Sequence, residues 1–506
     1  MGTSRRGRLL RLSPWLAMAL PLLCCAAFAV LQSLQQWPAR LGDDWIYFHE
    51  FDDLALLDSD GGGALTKNGR PEDGLRFRPF SYLWLFVERR LTQSFAVSHA
   101  IGLAWIGLGG TALVAFLRAI GVTSSRACLA ALLFVLHPAQ VEVWGWASAR
   151  IDTMAMAASF AGLALLAGVA GPLRLVLAYF AFAAAFGSKE AAYPVVAVAP
   201  LVPLLRGLGA RRALRDAVVA CLALGSVLGL KLLLLGSAFA GSWGLALATI
   251  PLRMHVAGWF SYLHALLVDP RSTAAPAGQV ASALWFGLMV VAIATPFAVL
   301  ATTTRHQKRR LLRRMSAQTP LYALCIVGFF LTITVSFGVP ARGDLAGSRL
   351  WYLPSAFLCA AIAMHATRVV LVAGIVVGAF LLDQNLAPYR EAGRLMTRVE
   401  ATIEGELSDA GRALRVADLP KEHGPVPLFV LMAELWTVGR PELADDSTAS
   451  GPPSFPRVFL SWSEAGQARD LGPVEAIWAT EMQRRGLEIR RLVWQGGDLV
   501  EATSKR

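Results

Sequence analysis

Charge is scarce in this chain. Only 16% of its 506 residues are Asp, Glu, Lys or Arg, where a soluble protein of ordinary composition carries about a quarter. With 55% hydrophobic residues and a mean hydropathy of +0.51, that deficit excludes an ordinary water-soluble domain. Cysteine is scarce too. The six (Cys24, Cys25, Cys128, Cys221, Cys325 and Cys359) all fall in apolar stretches, so no disulfide framework follows and they read as small core residues. No Cys-x-x-Cys occurs and the eight histidines lack zinc-type spacing, which argues against a structural metal site. The C-terminal part shows no tandem repeat of about 34 residues.

Acidic residues are also few, 35 against 47 basic, for a net charge of +12. The placement of the excess argues against nucleic acid. Arg5, Arg6, Arg8 and Arg11 precede the first apolar run. Arg206, Arg211, Arg212 and Arg215 fill one short loop, and Arg305, Lys308, Arg309, Arg310, Arg313 and Arg314 fill another. All three groups fall on one side once the apolar runs are counted as spans, which is the positive-inside bias.

What is present in quantity is hydrocarbon. About eleven apolar runs approach the ~20 residues needed to cross a bilayer. They lie near 13–35, 97–117, 125–137, 151–170, 172–187, 191–205, 214–236, 280–301, 319–337, 350–366 and 368–383. The expected fold is an all-α polytopic membrane protein with a cytoplasmic N-terminus and an extracytoplasmic tail. Ser4-Arg5-Arg6 has the look of a twin-arginine signal. The first apolar run exceeds the ~7–15 residues of a signal core and more follow, so a retained anchor is the expectation.

Outside loops are long and inside loops short and basic. The first outside loop, about 37–96, holds Asp43 and Asp44. Two short aromatic segments, Pro79–Phe86 and Pro251–Leu267, read as interfacial helices. After Asp383 the composition turns polar. Residues 441–456 read as a linker, Pro473–Arg485 as a helix and Leu487–Trp494 as a strand. The organisation expected is a transmembrane domain over 1–390 and a small extracytoplasmic α/β appendage over 391–506.

Ionisable residues collect at the outer ends of the spans. His137-Pro138-Ala139-Gln140-Val141-Glu142 is followed by Trp144, Trp146, Arg150 and Asp152. In isolation this reads as a helix cap with an ion pair and aromatic anchors. Lys189, beside Glu190, is either a snorkelling end-residue or a cation for a lipid phosphate. Arg349, in Ser348-Arg349-Leu350-Trp351-Tyr352-Leu353-Pro354-Ser355, has the same two readings. Arg78, in Arg76-Phe77-Arg78-Pro79-Phe80, suits a phosphate oxyanion. Asp43 and Asp44 have three available roles: general base, cation ligand, or solvated loop. Taken together, two carboxylates and several cations on one face are what transfer from a lipid phosphate requires.

In their order, these motifs resemble the GT-C integral-membrane glycosyltransferases. They are Asp43-Asp44, Arg78-Pro79-Phe80-Ser81, His137-Pro138 to Glu142 with Arg150 and Asp152, Ser188-Lys189-Glu190, and Ser348 to Ser355. The nearest resemblance is to the transmembrane and tetratricopeptide-repeat O-mannosyltransferases and their bacterial relatives, over about residues 1–390. It implies a polyprenyl-phosphate sugar donor, mannose among the candidates, and inverting transfer to an acceptor hydroxyl on protein, lipid or polysaccharide. The setting it implies is the bacterial cytoplasmic membrane, on the extracytoplasmic face. Asp43 or Asp44 then takes the place of the catalytic carboxylate. Arg78, His137, Glu142, Arg150, Asp152, Lys189, Glu190, Arg349 and Tyr352 fall at substrate-binding positions. A divalent cation at Asp43 and Asp44 stays open. Two departures stand out: the repeat arrays are missing, and Ser348 replaces the acidic residue expected before Arg349. The alternative is a transporter or flippase for a lipid-linked or small polar substrate.

Overall fold

The computed structural model describes residues 13–34, 41, 77–92, 94–168, 171–235, 252–271, 275–302, 305–333, 345, 348–409, 411–419, 422–423, 426–427, 458–462, 478–480, 482–484, 486–495 and 498–501. Asp43, Asp44 and the linker expected over 441–456 lie outside the described residues.

Helices dominate. In chain order they are α1 (Pro14–Leu34), α2 (Pro79–Leu91), α3 (Phe95–Ala119), α4 (Ser124–Val135), α5 (Val141–Gly145), α6 (Arg150–Ala167), α7 (Pro172–Ser188) and α8 (Val195–Leu205). There follow α9 (Ala210–Leu235), α10 (Leu252–Leu267), α11 (Pro276–Thr302), α12 (Arg305–Ile333), α13 (Tyr352–His365), α14 (Arg368–Asn385) and α15 (Ala387–Leu407). Among the described residues, six stretches are long and apolar enough to cross a membrane: Pro14–Leu31, Phe95–Ala119, Ala147–Ala167, Ala210–Leu234, Pro276–Thr295 and Arg368–Leu407. A seventh is a broken pair, Ser124–Val135 with Pro138–Gly145, bent by 51°. The sequence led us to expect about eleven spans. Three of those runs form helices of 17 residues or fewer (α7, α8 and α13), and a fourth, Thr319–Ile333, is the apolar part of the longer α12. Pro138 breaks α4 from α5, because a proline supplies no N–H to the helix it interrupts, and Pro194 stands at the N-cap of α8.

Helix α3 packs along α1 and α6, and α6 along α7. Close approach in this core depends on glycine. A Cβ at Gly110 would stand 2.7 Å from Pro21 and 2.8 Å from Val135, so α1, α3 and α4 can meet only where no side chain intervenes. Helix α13 is buried along nearly its whole length.

Helix α15 buries Tyr389, Ala392, Met396, Val399 and Ile403. That is the 3–4 residue spacing of one apolar face. The expected domain boundary at 390 falls inside this unbroken helix. Beyond it lies a four-stranded sheet ordered β4-β1-β5-β6, with β1 at Arg412–Leu419, β4 at Val458–Trp462, β5 at Glu488–Gln495 and β6 at Asp498–Glu501. Strand β1 runs parallel to β4 and β5, with Leu414 opposite Val458 and Arg490, while β6 returns antiparallel to β5. Two short strands, β2 (Glu422–His423) and β3 (Val426–Pro427), form a separate antiparallel pair. Trp478 and Met482 are helical and pack with Ala413 of β1. The expected strand at Leu487–Trp494 is β5, displaced by one residue.

Candidate functional site

One end of the helical bundle gathers the ionisable side chains singled out in the sequence. Helix α2 starts with Pro79 and buries Ser81, Tyr82, Leu85, Glu88 and Arg89. This helix, which the sequence reads as interfacial, packs on α7. Immediately before it, the Arg78 guanidinium donates from Nη2 to Glu190 Oε2 at 3.1 Å. Helix α7 ends at Ser188, and the extended Lys189 sends its ammonium to Asp152 Oδ2 of α6 at 2.5 Å. Both partners are buried. Two ion pairs thus stand side by side, joined through the adjacent residues Lys189 and Glu190. Lys231 of α9 lies within electrostatic reach of Glu190 and Arg78.

Burial pushes the Lys189 ammonium down to about 8. Asp152 opposes this, while the like charges of Arg78 and Arg349 reinforce it. An amine with so low a value is charged at neutral pH but titrates just above it.

Arg150 and Glu142 have other partners. Arg150 Nη1 donates to Glu88 Oε1, and its Nε reaches the Ala147 carbonyl at 2.9 Å. Glu88 also accepts from Ser98 Oγ and, at 3.0 Å, from Trp84 Nε1. Glu142 Oε2 accepts the Arg349 backbone N–H at 2.8 Å. Its carboxylate therefore caps the short 3₁₀ turn Ser348–Trp351 that leads into α13, where unpaired N–H groups favour negative charge. The Arg349 guanidinium stands 3.8 Å from Glu142 Oε1 and lies over the Trp146 ring at 4.0 Å. The Trp146 indole N–H donates to the Leu41 carbonyl at 2.9 Å.

The entry to this turn is strained. Leu345 holds φ at +65° with its side chain fully buried, a conformation costing a bulky residue ~1–2 kcal/mol. Such strain tends to collect at functional sites.

Two further candidates sit elsewhere. His137 Nδ1 accepts the Ala139 N–H at 3.1 Å, and Nε2 faces the Leu266 carbonyl at 3.1 Å. A carbonyl can only accept, so the ring is neutral with its proton on Nε2. It is the capping histidine of the α4–α5 break, set edge-on to Trp285 at 4.9 Å. Tyr352 is buried against Phe134 at 4.7 Å, and among the described residues its hydroxyl has no hydrogen-bond partner. That hydroxyl points toward Gly109 of α3.

The structure therefore brings together Arg78, Glu190, Lys189 and Asp152 in one group, and Glu142 and Arg349 in another. The electrostatic influence of Arg349 on Lys189 links the two. Glu88 was missed in the sequence. Its signal was present: an acid on the buried face of an amphipathic helix, seven residues after Ser81 and three after Leu85. Among the described residues, no group of three His, Cys, Asp or Glu stands where it could hold a metal ion.

Near this end begins an apolar groove of 390 Å³ between α10, α11, α12 and α13. Leu263, Leu267, Phe329 and Leu358 are among its walls, and Tyr322 and His365 line it too. No family model matches the chain, and none of the curated proteins matches it.

Proposed function

We propose that the chain is an integral-membrane glycosyltransferase. It would move a sugar from a polyprenyl-phosphate donor to an acceptor hydroxyl at the polar end of the bundle, taken as extracytoplasmic. One carboxylate of Asp43-Asp44 accepts the proton of the acceptor hydroxyl. The hydroxyl oxygen attacks the anomeric carbon, and the bond to the phosphate oxygen breaks with inversion. The lipid phosphate departs with the electron pair.

The observation that carries this reading is the bond from Trp146 to the Leu41 carbonyl. That bond fixes Leu41, which precedes Asp43 by two positions in the sequence, beside the ring that carries Arg349.

The charge arrangement supports the reading with one refinement. Arg78, Arg150 and Lys189 each face a carboxylate closely, so their main work is to hold helices together. Arg349 is the looser one: its side chain is 28% exposed and 3.8 Å from Glu142. It is the cation best placed to receive a departing phosphate, and its planar fork suits the phosphate oxygens. Glu142, Asp152 and Glu190 all answer cations, so a divalent metal would have to draw on Asp43-Asp44. The apolar groove beside α13 suits a polyprenyl tail, because it is walled by aliphatic and aromatic side chains and contains little that needs water.

A carrier for a lipid-linked substrate is the second reading. The 51° break at His137-Pro138 favours it, since transporters use interrupted helices at their binding sites. Incubating the purified protein with a panel of polyprenyl-phosphate sugars, with and without chelator, separates the two. Release of free lipid phosphate from one donor is the expected result. Flipping of the intact donor across vesicles, with no such release, would replace the enzyme by the carrier.

A further inference from the structure

The opposite end of α6 carries a second, separate feature. Asp152 and Gly168 are sixteen residues apart, ~24 Å along a helix, so this region lies at the far end of the bundle from the charged cluster. A groove of 780 Å³ runs there between α3 and α6. Its floor is made of small side chains, among them Ala112 and Ala115 of α3 and Ala158 and Ala161 of α6. These pairs are three residues apart, so each stacks along one helix face. Trp105 lines it as well, and meets Trp84 edge-on at 5.2 Å. The distance from Trp105 to Arg118 is thirteen residues, ~20 Å, somewhat more than one leaflet of a ~30 Å hydrocarbon core.

Two arginines, Arg118 and Arg174, line the groove as well, and they differ from their neighbours. The last carbonyls of α6 are taken by Arg206 and Arg212, which bond Ala167 and Leu166 at 2.9 and 3.1 Å. Arg126 caps the end of α13, Arg215 pairs with Asp216, and Arg368 bonds Ser125. Among the described residues, no ion pair or side-chain hydrogen bond engages the Arg118 or Arg174 guanidinium. Arg174 sits in the first turn of α7, whose preceding Gly171 offers no side-chain cap. A cation there opposes the positive end of the helix dipole, and a bound anion would relieve that repulsion. Gly168 lets the Arg174 side chain fold across the α6 terminus, since a Cβ at 168 would lie 2.0 Å from Nη1. Thr111, the polar residue on the wall, already donates to the Met18 carbonyl at 2.8 Å.

We infer that this groove is a binding site for an anionic phospholipid of the leaflet at the arginine-rich end. The phosphate sits between the Arg118 and Arg174 guanidiniums, near the uncapped start of α7, and one acyl chain lies along the alanine floor. Two forked guanidiniums match phosphate oxygens, and the small side chains leave the width an acyl chain needs. A partner helix could use the same alanines, but would leave both arginines unanswered in a less polar setting. The inference does not depend on the proposed sugar transfer.

The test is lipid binding by the full-length protein in detergent, read by native mass spectrometry. Phosphatidylglycerol should remain bound at concentrations where phosphatidylcholine is lost. Arg118→Gln with Arg174→Gln should weaken phosphatidylglycerol by about ten- to thirty-fold with the elution profile and Tm unchanged. Gly168→Ala, whose backbone at φ −75° tolerates alanine, should displace Arg174 and weaken it in the same direction. Ala158→Leu with Ala161→Leu should block the acyl chain with both arginines in place. Unchanged lipid preference in the arginine and Gly168 variants would overturn the assignment. So would displacement of the lipid by millimolar inorganic phosphate, which would make this a free-anion site. A change of oligomeric state in the alanine variant, with phosphatidylglycerol binding intact, would show a helix interface instead and overturn it equally.

Discussion

Lys189 and Asp152 face each other at 2.5 Å, tying the end of α7 to the start of α6 in a place almost without water. A buried pair of this kind is costly to break and cheap to replace. Lys189→Met or Asp152→Leu alone should destabilise the protein by ~3–5 kcal/mol, because each leaves an uncompensated charge. The double variant should recover most of that loss. Thermal unfolding of the three variants in one detergent measures it, and a strictly additive double variant would contradict the pairing.

The same lysine sets an alkaline limit. Its value of about 8 means that the ammonium is lost as pH rises through that point, and with it the attraction that holds Asp152. The donor-consuming rate should therefore fall above about pH 8. Lys189→Arg, whose guanidinium stays charged, should move that limb upward by more than a unit. A pH–rate profile with an identical limb in the two proteins would remove Lys189 from this role.

Trp146 links the first loop to Arg349, and the two contacts can be separated. Trp146→Phe keeps a ring under the guanidinium but deletes the bond to the Leu41 carbonyl. Loss of one such bond costs ~0.5–1.5 kcal/mol. The rate should drop up to about ten-fold with little change in donor retention. Equal kcat in the variant and the wild type would break the proposed tie between Leu41 and the site.

Tyr389, in the first turn of α15, packs on Gly145 of the bundle. Its ring lies where a Cβ on Gly145 would be, 2.4 Å from Cδ1. Gly145→Ala should therefore cost ~1–3 kcal/mol through overpacking. Adding Tyr389→Ala should restore space and part of the stability. Unfolding by denaturant reads both, and a neutral Gly145→Ala would show that this contact is not tight.

How much of this was visible in the sequence depends on the kind of signal. Arg78, Asp152, Lys189 and Glu190 could be assigned to one end of the bundle because helix direction follows from span counting and arginine placement. Their pairing could not, since Arg78 and Glu190 are 112 residues apart and no local pattern joins them. The membrane character was legible from apolar runs, but the number of crossings was not. A run such as Pro172–Ser188 forms a 17-residue apolar helix, at the short end of the length that crosses a bilayer. His137 read equally as cap and as ligand, and its two hydrogen bonds identify it as a cap. Glu88 escaped notice because its carboxylate has meaning only beside Arg150, which comes from a different helix.

In the proposed transfer, one of two carboxylates is the base. The most direct measurement is release of free polyprenyl phosphate from a lipid-phosphate sugar by the wild type and by Asp43→Asn with Asp44→Asn, both reconstituted in lipid at matched Tm. Transfer by the wild type, and loss of it in the double variant with the donor still bound, is the predicted result. Full turnover by the double variant would contradict it.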